Sequence, residues 1–558
     1  MRKKHFLFAS VLALLCGSSA LHAQDFKLTS SGYFKNQGVD IMAFDDIYPE
    51  GHQGGVCIIM NGHRVATNGD IRLEATPGQW QPVPKQLDRK LGDNSITATL
   101  CYPDSSRHLT GFNPMIYPDL HLIYTVNVES KGKNIEVTVD LDRPIPQEFI
   151  GKVGFNLEFF PGSLFGKPWI MDGQSGIFPQ QPNSPLMTTQ PNYLHTGNYH
   201  DGKKSLADMD KLIGKGYSPI VADDIISEPY AKGTKFTSRP DDPYNKVTIE
   251  SLSGDLQLFD GRMNHNNGWF VLRSNIKPGV TKGAVKWIIT PNVVADWMYQ
   301  PVIQTSQIGY HPTQDKEAVI EMDIRDNRKE TAQIIRIDAD GEKVVKNVTP
   351  ANWGKFLRYN YLKVNFTDVK EPGLYKIKYN TSVSPIFRID NDVYARGVWQ
   401  PVLEYFLPVQ MCHMRVNEKY RVWHDCCHMD DAQMAPAHNH IDGYDQKEGL
   451  SKFKPGEVVP GVNIGGWHDA GDFDLRIESQ AGESYILALA YEAFHPNLDV
   501  TSIDQINRVT EIHQPDGKND LLQQVENGAL TVVNGYLALG RLYRGIICND
   551  LRQYVLLG

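Results

Sequence analysis

Hydrophobic periodicity changes once along this chain, near Tyr394, and the change divides it into a β part and an α part. Before it, apolar residues alternate in short runs broken by Gly and Pro. After it, Val398, Trp399, Val402, Leu403 and Phe406 recur at the i, i+3, i+4 spacing of a helix face. Strands that come first and helices that come later predict separate β and α domains, not an alternating α/β sheet. The 558 residues leave room for three or four domains.

Two β units are expected. In 24–300, Val56 to Met60 reads as a buried strand, and Leu120 to Val128 with Asn134 to Leu141 reads as a hairpin across Lys-Gly-Lys. Ala284 to Ile289 is a further strand, and the Pro-, Gly- and Asn-rich stretch 160–205 predicts long loops. The expectation is a β-sandwich of unreadable role, in which Trp169 packs inside. In 301–391, alternating runs end in turns at Asp338 to Gly341 and Glu371 to Gly373, a rhythm that suggests an immunoglobulin-like sandwich. Beyond Tyr394, helices are expected at Ile477 to Phe494 and from Leu521 towards Leu557, with Asp520 as N-cap.

Residues 1–23 read as a secretory signal peptide. Arg2, Lys3 and Lys4 precede an apolar run from Phe6 to Leu15, and Leu21-His22-Ala23 fits a cleavage site. That run is too short for a transmembrane helix, and no other segment predicts one. The expected location is the periplasm, cell surface or medium. The net charge of −9 argues against nucleic acid as a partner and suits a neutral polysaccharide. Seven cysteines are too sparse for a disulfide scaffold, and Cys57 and Cys101 read as two buried thiols or one bridge.

Residues 465–472, Gly-Gly-Trp-His-Asp-Ala-Gly-Asp, carry the chemistry. Closely placed carboxylates such as Asp469 and Asp472 can orient a water and take its proton, the base half of glycoside hydrolysis. The glycines allow backbone to approach a ligand, and Trp467 offers a flat face for a sugar ring. A bare Asp-x-x-Asp would more simply be an acidic turn. The flanking Gly-Gly-Trp-His favours a site.

These residues resemble glycoside hydrolase family 9. Gln307 to Pro312 is similar to the opening of the immunoglobulin-like domain found before many of its catalytic domains. Gln410-Met411-Cys412 and Cys427 to Ala432 resemble its cysteine-containing loops, and Gly465 to Asp472 its acidic signature. The resemblance covers about 301–558. It implies an (α/α)6 barrel, of which 394–558 would be the front part, and inverting hydrolysis of β-glucosidic bonds of cellulose type. Asp472 would be the general base and Asp469 would help hold the attacking water. Inversion places the acid about 6.5–9.5 Å from the base, so the two aspartates are a base-side pair. In the family the acid is a Glu near the end of the catalytic domain. No residue here matches it, and Glu478, Glu483 and Glu526 read as helix-surface residues. The chain as given is therefore expected to be inactive through truncation. After Asp472 the run Phe473-Asp474-Leu475 departs from the family pattern, which leaves the substrate open.

Cys412, Cys427, His428 and His468 together offer two thiolates and two imidazoles, a complete tetrahedral zinc set. A disulfide from Cys412 to Cys426 or Cys427 is the rival in an oxidising compartment. The resemblance implies zinc, because some family members bind structural zinc with this arrangement. It also leaves calcium at Asp430 or Asp431 as an option. Two other functions stay open: an exo-acting β-glucosidase or glucosaminidase of the same family, and a non-catalytic carbohydrate-binding protein built on a truncated hydrolase.

Overall fold

The computed structural model describes residues 25–45, 55–74, 77, 84–102, 120–182, 227–263, 268–437, 440–441, 444–469, 474–548 and 554–557. The signal-peptide reading of 1–23 lies outside them, as does Asp472. Among the described residues no helix is long and apolar enough to cross a membrane.

The first unit is a sandwich of two nine-stranded sheets whose inner faces share one apolar core. In the second sheet the pleat is plain. Ser95–Tyr102 and Asn134–Leu141 alternate between half-exposed and buried residues, so one face meets the core. The hairpin expected around Lys-Gly-Lys joins Leu122–Lys131 to Asn134–Leu141. Trp287 fills the middle of the core, edge-on to Phe155 at 5.0 Å, and its indole N–H donates to Ser274 Oγ. Trp169 and Cys57 are buried, and Cys101 is half-buried. Within the stretch expected as loops, Pro168–Met171 and Gln174–Ile177 pair as a hairpin. Turn residues at 172–173 masked these two short strands.

Val153–Phe159 of the first sheet is buried on both faces. Its outer side carries polar groups that pair with neighbours. Asn156 donates to Glu74 at 2.6 Å, and Arg273 lies 3.2 Å from Glu74 and donates to Asn156 at 3.1 Å.

The second unit has a four-stranded sheet in the order Val302–Gln304, Glu317–Asp323, Tyr359–Asn365, Ala351–Phe356. A further sheet of five strands is centred on Ala332–Asp338 and Gly373–Tyr379. Tyr310, Phe366, Tyr375 and Phe387 form the aromatic centre of its core. Gly341–Val348 and Ala351–Phe356 are mostly exposed, so no burial alternation marks them in the sequence.

Beyond Tyr394 helix is scarcer than expected. A π-turn at Val402–Phe406 runs into Leu407–Gln410. Arg415–Glu418 then pairs in parallel with Val509–Ile512. Two long helices follow, α1 (Ile477–Phe494) and α2 (Asp520–Leu539), and they pack on each other. α1 has the expected bounds. α2 stops early because Gly540 takes a left-handed conformation (φ 76°) and its N–H returns to Tyr536 O. Gly545–Cys548 then forms a strand against Leu475–Arg476. The N-cap of α2 is Asn519, whose side chain accepts from Leu521 and Leu522 N–H. Asp520, expected in that role, instead accepts from Val500 N–H at 2.9 Å and is pushed up to about 6, chiefly by burial.

Asp70 in the sandwich gives a test of buried charge. Burial raises its carboxyl pKa to about 7, against hydrogen bonds from Ile71 N–H and the Tyr124 hydroxyl. The fold therefore takes up a proton here between about pH 4 and 7. The group costs nothing at the acid end of that window, and its cost grows as pH rises through it. Asp70→Asn should flatten the pH dependence of the sandwich's melting temperature between pH 4 and 7 relative to the unsubstituted chain. Identical slopes would contradict the assignment.

Candidate functional site

The chain from Gly465 to Trp467 is a buried turn, and with His468 it is gripped from two sides. From the helix side, Gln480 of α1 accepts from Trp467 N–H at 2.8 Å and donates to Trp467 C=O at 2.9 Å. Asn527 of α2 accepts from Gly466 N–H through its carbonyl and donates to Gly466 C=O through its side chain. From the other side, Cys412 N–H donates to Gly466 C=O and His468 N–H to Gln410 C=O. Buried backbone groups need such partners, and here both helices supply them.

The glycines serve this packing. Gly465 and Gly466 have φ of 70° and 85°, and a Cβ on Gly465 would lie 2.3 Å from the Asn527 carbonyl oxygen. The close approach is to α2, not to a ligand. Trp467 is corrected in the same way. It is 1% exposed, its indole N–H donates to Gln524 at 2.8 Å, and its ring lies over Gly528. Its face is sealed in the core, so it is not a sugar platform.

Cys412, Cys427, His428 and His468 converge, with one ligand atom from each within 4.8 Å of every other. Cys412 Sγ and Cys427 Sγ are 3.6 Å apart, and Cys427 Sγ is 3.2 Å from His468 Nε2. Both thiols are free, and a bond between them would need about 2.05 Å. Tetrahedral zinc with Zn–S near 2.3 Å sets two sulfurs roughly 3.7 Å apart, which the observed separation fits. Cys427 is held far below the usual thiol range by hydrogen bonds from Cys412, His424 and His468. Burial pushes Cys412 the other way. His428 Nδ1 lies 2.7 Å from an Asp431 carboxylate oxygen. Asp431, an option for calcium, is thus engaged in orienting an imidazole. Among the described residues no other group of His, Cys, Asp and Glu side chains converges in this way. Cys426 is exposed and faces Arg508 C=O.

Asp469 emerges from this turn into solvent. Its N–H donates to Asp474 C=O at 2.9 Å. Its carboxylate lies 3.4 Å from Arg476 Nε and accepts from Ser479 at 3.3 Å. Glu483, one turn further along α1, is raised above its ordinary range by burial and then by the Asp469 charge. Ser479 and Glu483 share one stripe of α1 at four-residue spacing, and Arg476 immediately precedes the helix. That spacing was the available signal, and it was missed because Glu483 reads as a surface residue.

Residues 298–384 match the family described as the cellulase N-terminal ig-like domain. This stretch is similar to a cellulase N-terminal ig-like domain. Solved structures similar to the chain include a Zn-binding triple mutant of GH family 9 endoglucanase J30, at 20% identity over 44% of this chain and 44% of that one, with a TM-score of 0.34. Bacteroides ovatus GH9 is similar at 18% identity over 46% and 45%, also with a TM-score of 0.34. The chain spans less than half the length of either, and the likeness is too low to fix a shared fold. Among curated proteins none matches the chain. The ig-like domain ends shortly before the segment that carries the Cys and His cluster.

The grip on Gly465 can be measured. Gly461 has a similar φ of 79°, but the nearest atom to its added Cβ is 3.7 Å away. Gly465→Ala should lose at least about 1 kcal/mol more unfolding free energy than Gly461→Ala, since it adds a clash to the shared backbone strain. Equal losses in denaturant titrations would refute the close packing on α2.

Proposed function

We propose that this chain belongs to an exported inverting glycoside hydrolase of family 9, acting on β-glucans with cellulose-like β-1,4 bonds. The observation that carries the reading is the exposed Asp469 at the end of a buried, doubly gripped turn. The cellulase-type ig-like domain before it supports the same reading. In this proposal α1 and α2 are helices of an (α/α)6 barrel whose mouth holds the acidic turn. Export follows from the basic and apolar N-terminal run.

In the proposed mechanism Asp472 is the general base, and it takes a proton from a water as that water attacks the anomeric carbon. Asp469 orients the same water by accepting its second hydrogen bond. Arg476 and Ser479 fix the Asp469 carboxylate, which lowers the ordering needed when substrate arrives. A separate acid about 6.5–9.5 Å from the base protonates the leaving oxygen. Cys412, Cys427, His428 and His468 would hold zinc. When bound it supplies a structural cross-link between three chain segments and takes no part in bond cleavage.

The test uses the full natural product of the gene and a soluble β-1,4-glucan. Hydrolysis is expected, with the inverted anomer appearing first by NMR. Asp472→Asn and Asp469→Asn should each lower kcat by about 10²–10⁴-fold. Unchanged rates in both variants, or a full product that cleaves no β-glucan, would overturn the assignment.

A further inference from the structure

The outer face of the ig-like domain carries a continuous file of aromatic rings that nothing in its own core requires. It runs Trp297, Tyr299, Tyr359, Tyr361, Trp353. Successive ring centroids are 6.5, 5.1, 6.1 and 5.6 Å apart, and each ring is tilted against the next. The β pleat explains the placement. Tyr359 and Tyr361 are two residues apart on one strand, so both point away from the core that buries Leu362 and Val364. Phe356 faces Tyr359 across the hairpin and is 57% exposed. The register shifts between Asn352 and Gly354, and this bulge turns Trp353 out beside Tyr361 with 56% of its surface exposed.

Polar groups are interleaved with the rings. Glu321 on the neighbouring strand accepts from both the Tyr299 and the Tyr361 hydroxyls, at 2.9 and 3.1 Å. Lys363 reaches Glu317 at 2.7 Å. At its other end the file enters a cleft of about 180 Å³ between the sandwich and the ig-like domain. Trp297, Tyr299, Tyr359, Asp40 and Arg358 line the cleft. Trp297 is anchored there, because a Cβ on Gly38 would touch its ring at 2.8 Å. The Trp297 C=O accepts from Gln37 of the sandwich and from Arg325 of the ig-like domain.

We infer that this file and cleft are a carbohydrate-binding surface, separate from the acidic turn, that takes an extended hydroxyl-rich chain such as a β-glucan. A pyranose ring has an apolar face of C–H bonds and an equator of hydroxyls. An exposed indole or phenol ring meets the first, and fixed carboxylates and hydroxyls at the rim meet the second. A protein partner would call for an apolar centre free of charge. Here Glu321 lies among the rings, and Lys363, paired with Glu317, follows Tyr361 on the same strand face. The choice of β-glucan rests on the hydrolase reading above.

The experiment is native affinity electrophoresis of the full chain in gels with hydroxyethyl cellulose, barley β-glucan or xyloglucan, and in starch as an α-linked control. Retardation is expected in at least one β-glucan gel and not in starch. Trp353→Ala should weaken it at least about tenfold, while Tyr420→Ala, at a fully exposed aromatic elsewhere, should leave it unchanged. Trp353→Ala removes an exposed ring, and Glu321→Gln, which leaves one acceptor oxygen for two tyrosine hydroxyls, gives a second variant expected to weaken binding. Migration unaffected by every β-glucan, or full retardation in both variants, overturns the inference. So does self-association by sedimentation that Trp353→Ala abolishes, since a second copy would then be the occupant. Hydrolysis by the full natural product of the gene without retardation sinks this surface and leaves the catalytic reading standing, whereas retardation with no hydrolysis by that full product does the reverse.

Discussion

Four ligand atoms from three distant stretches of chain lie within 4.8 Å of one another, and the region around the acidic turn is organised about that convergence. Cys412 follows the short helix, Cys427 and His428 follow a β-hairpin, and His468 is the last residue before the first aspartate. A metal joining them would fix His468 directly and Asp469 by one covalent step. Without metal, a partly ionised thiol pair and two imidazoles would have to share a half-buried space, which is costly unless each charge is paired. The buried amides of Gln480 and Asn527 complete the grip from the helix side. The turn thus has little freedom, as a water-positioning carboxylate requires.

The sequence showed best the elements that leave an alternating pattern, an unbroken apolar run or a long helical stretch. Val56–Met60, the hairpin across Gly132 and the α1 helix are all marked by clear periodicity or length. It was silent on Gly341–Val348 and Ala351–Phe356, because exposed edge strands have no burial pattern to leave. It over-extended α2, since Gly545 to Cys548 and Tyr554 to Leu557 are apolar runs too short to separate strand from helix.

At the site, the ligand quartet was legible as a set of residue types, but its convergence depends on the fold. Trp467 was misread because an indole next to acids suggests a sugar, while its burial depends on Gly528, sixty-one positions on. Gln480, Gln524 and Asn527 gave no signal at all, because amides on helices are ordinary surface residues until a turn is pressed against them. The aromatic file was equally hidden. Its five rings come from a linker and two strands, and only the hairpin register and its bulge bring them into line.

The most direct test of the account is the metal content and coordination of the purified full chain. Elemental analysis with X-ray absorption at the zinc edge should give one zinc per chain with two sulfur and two nitrogen neighbours. Cys427→Ser should lose the metal and lower the melting temperature of the region that holds α1 and α2. A metal-free chain with Cys412 and Cys427 joined in a disulfide would contradict it.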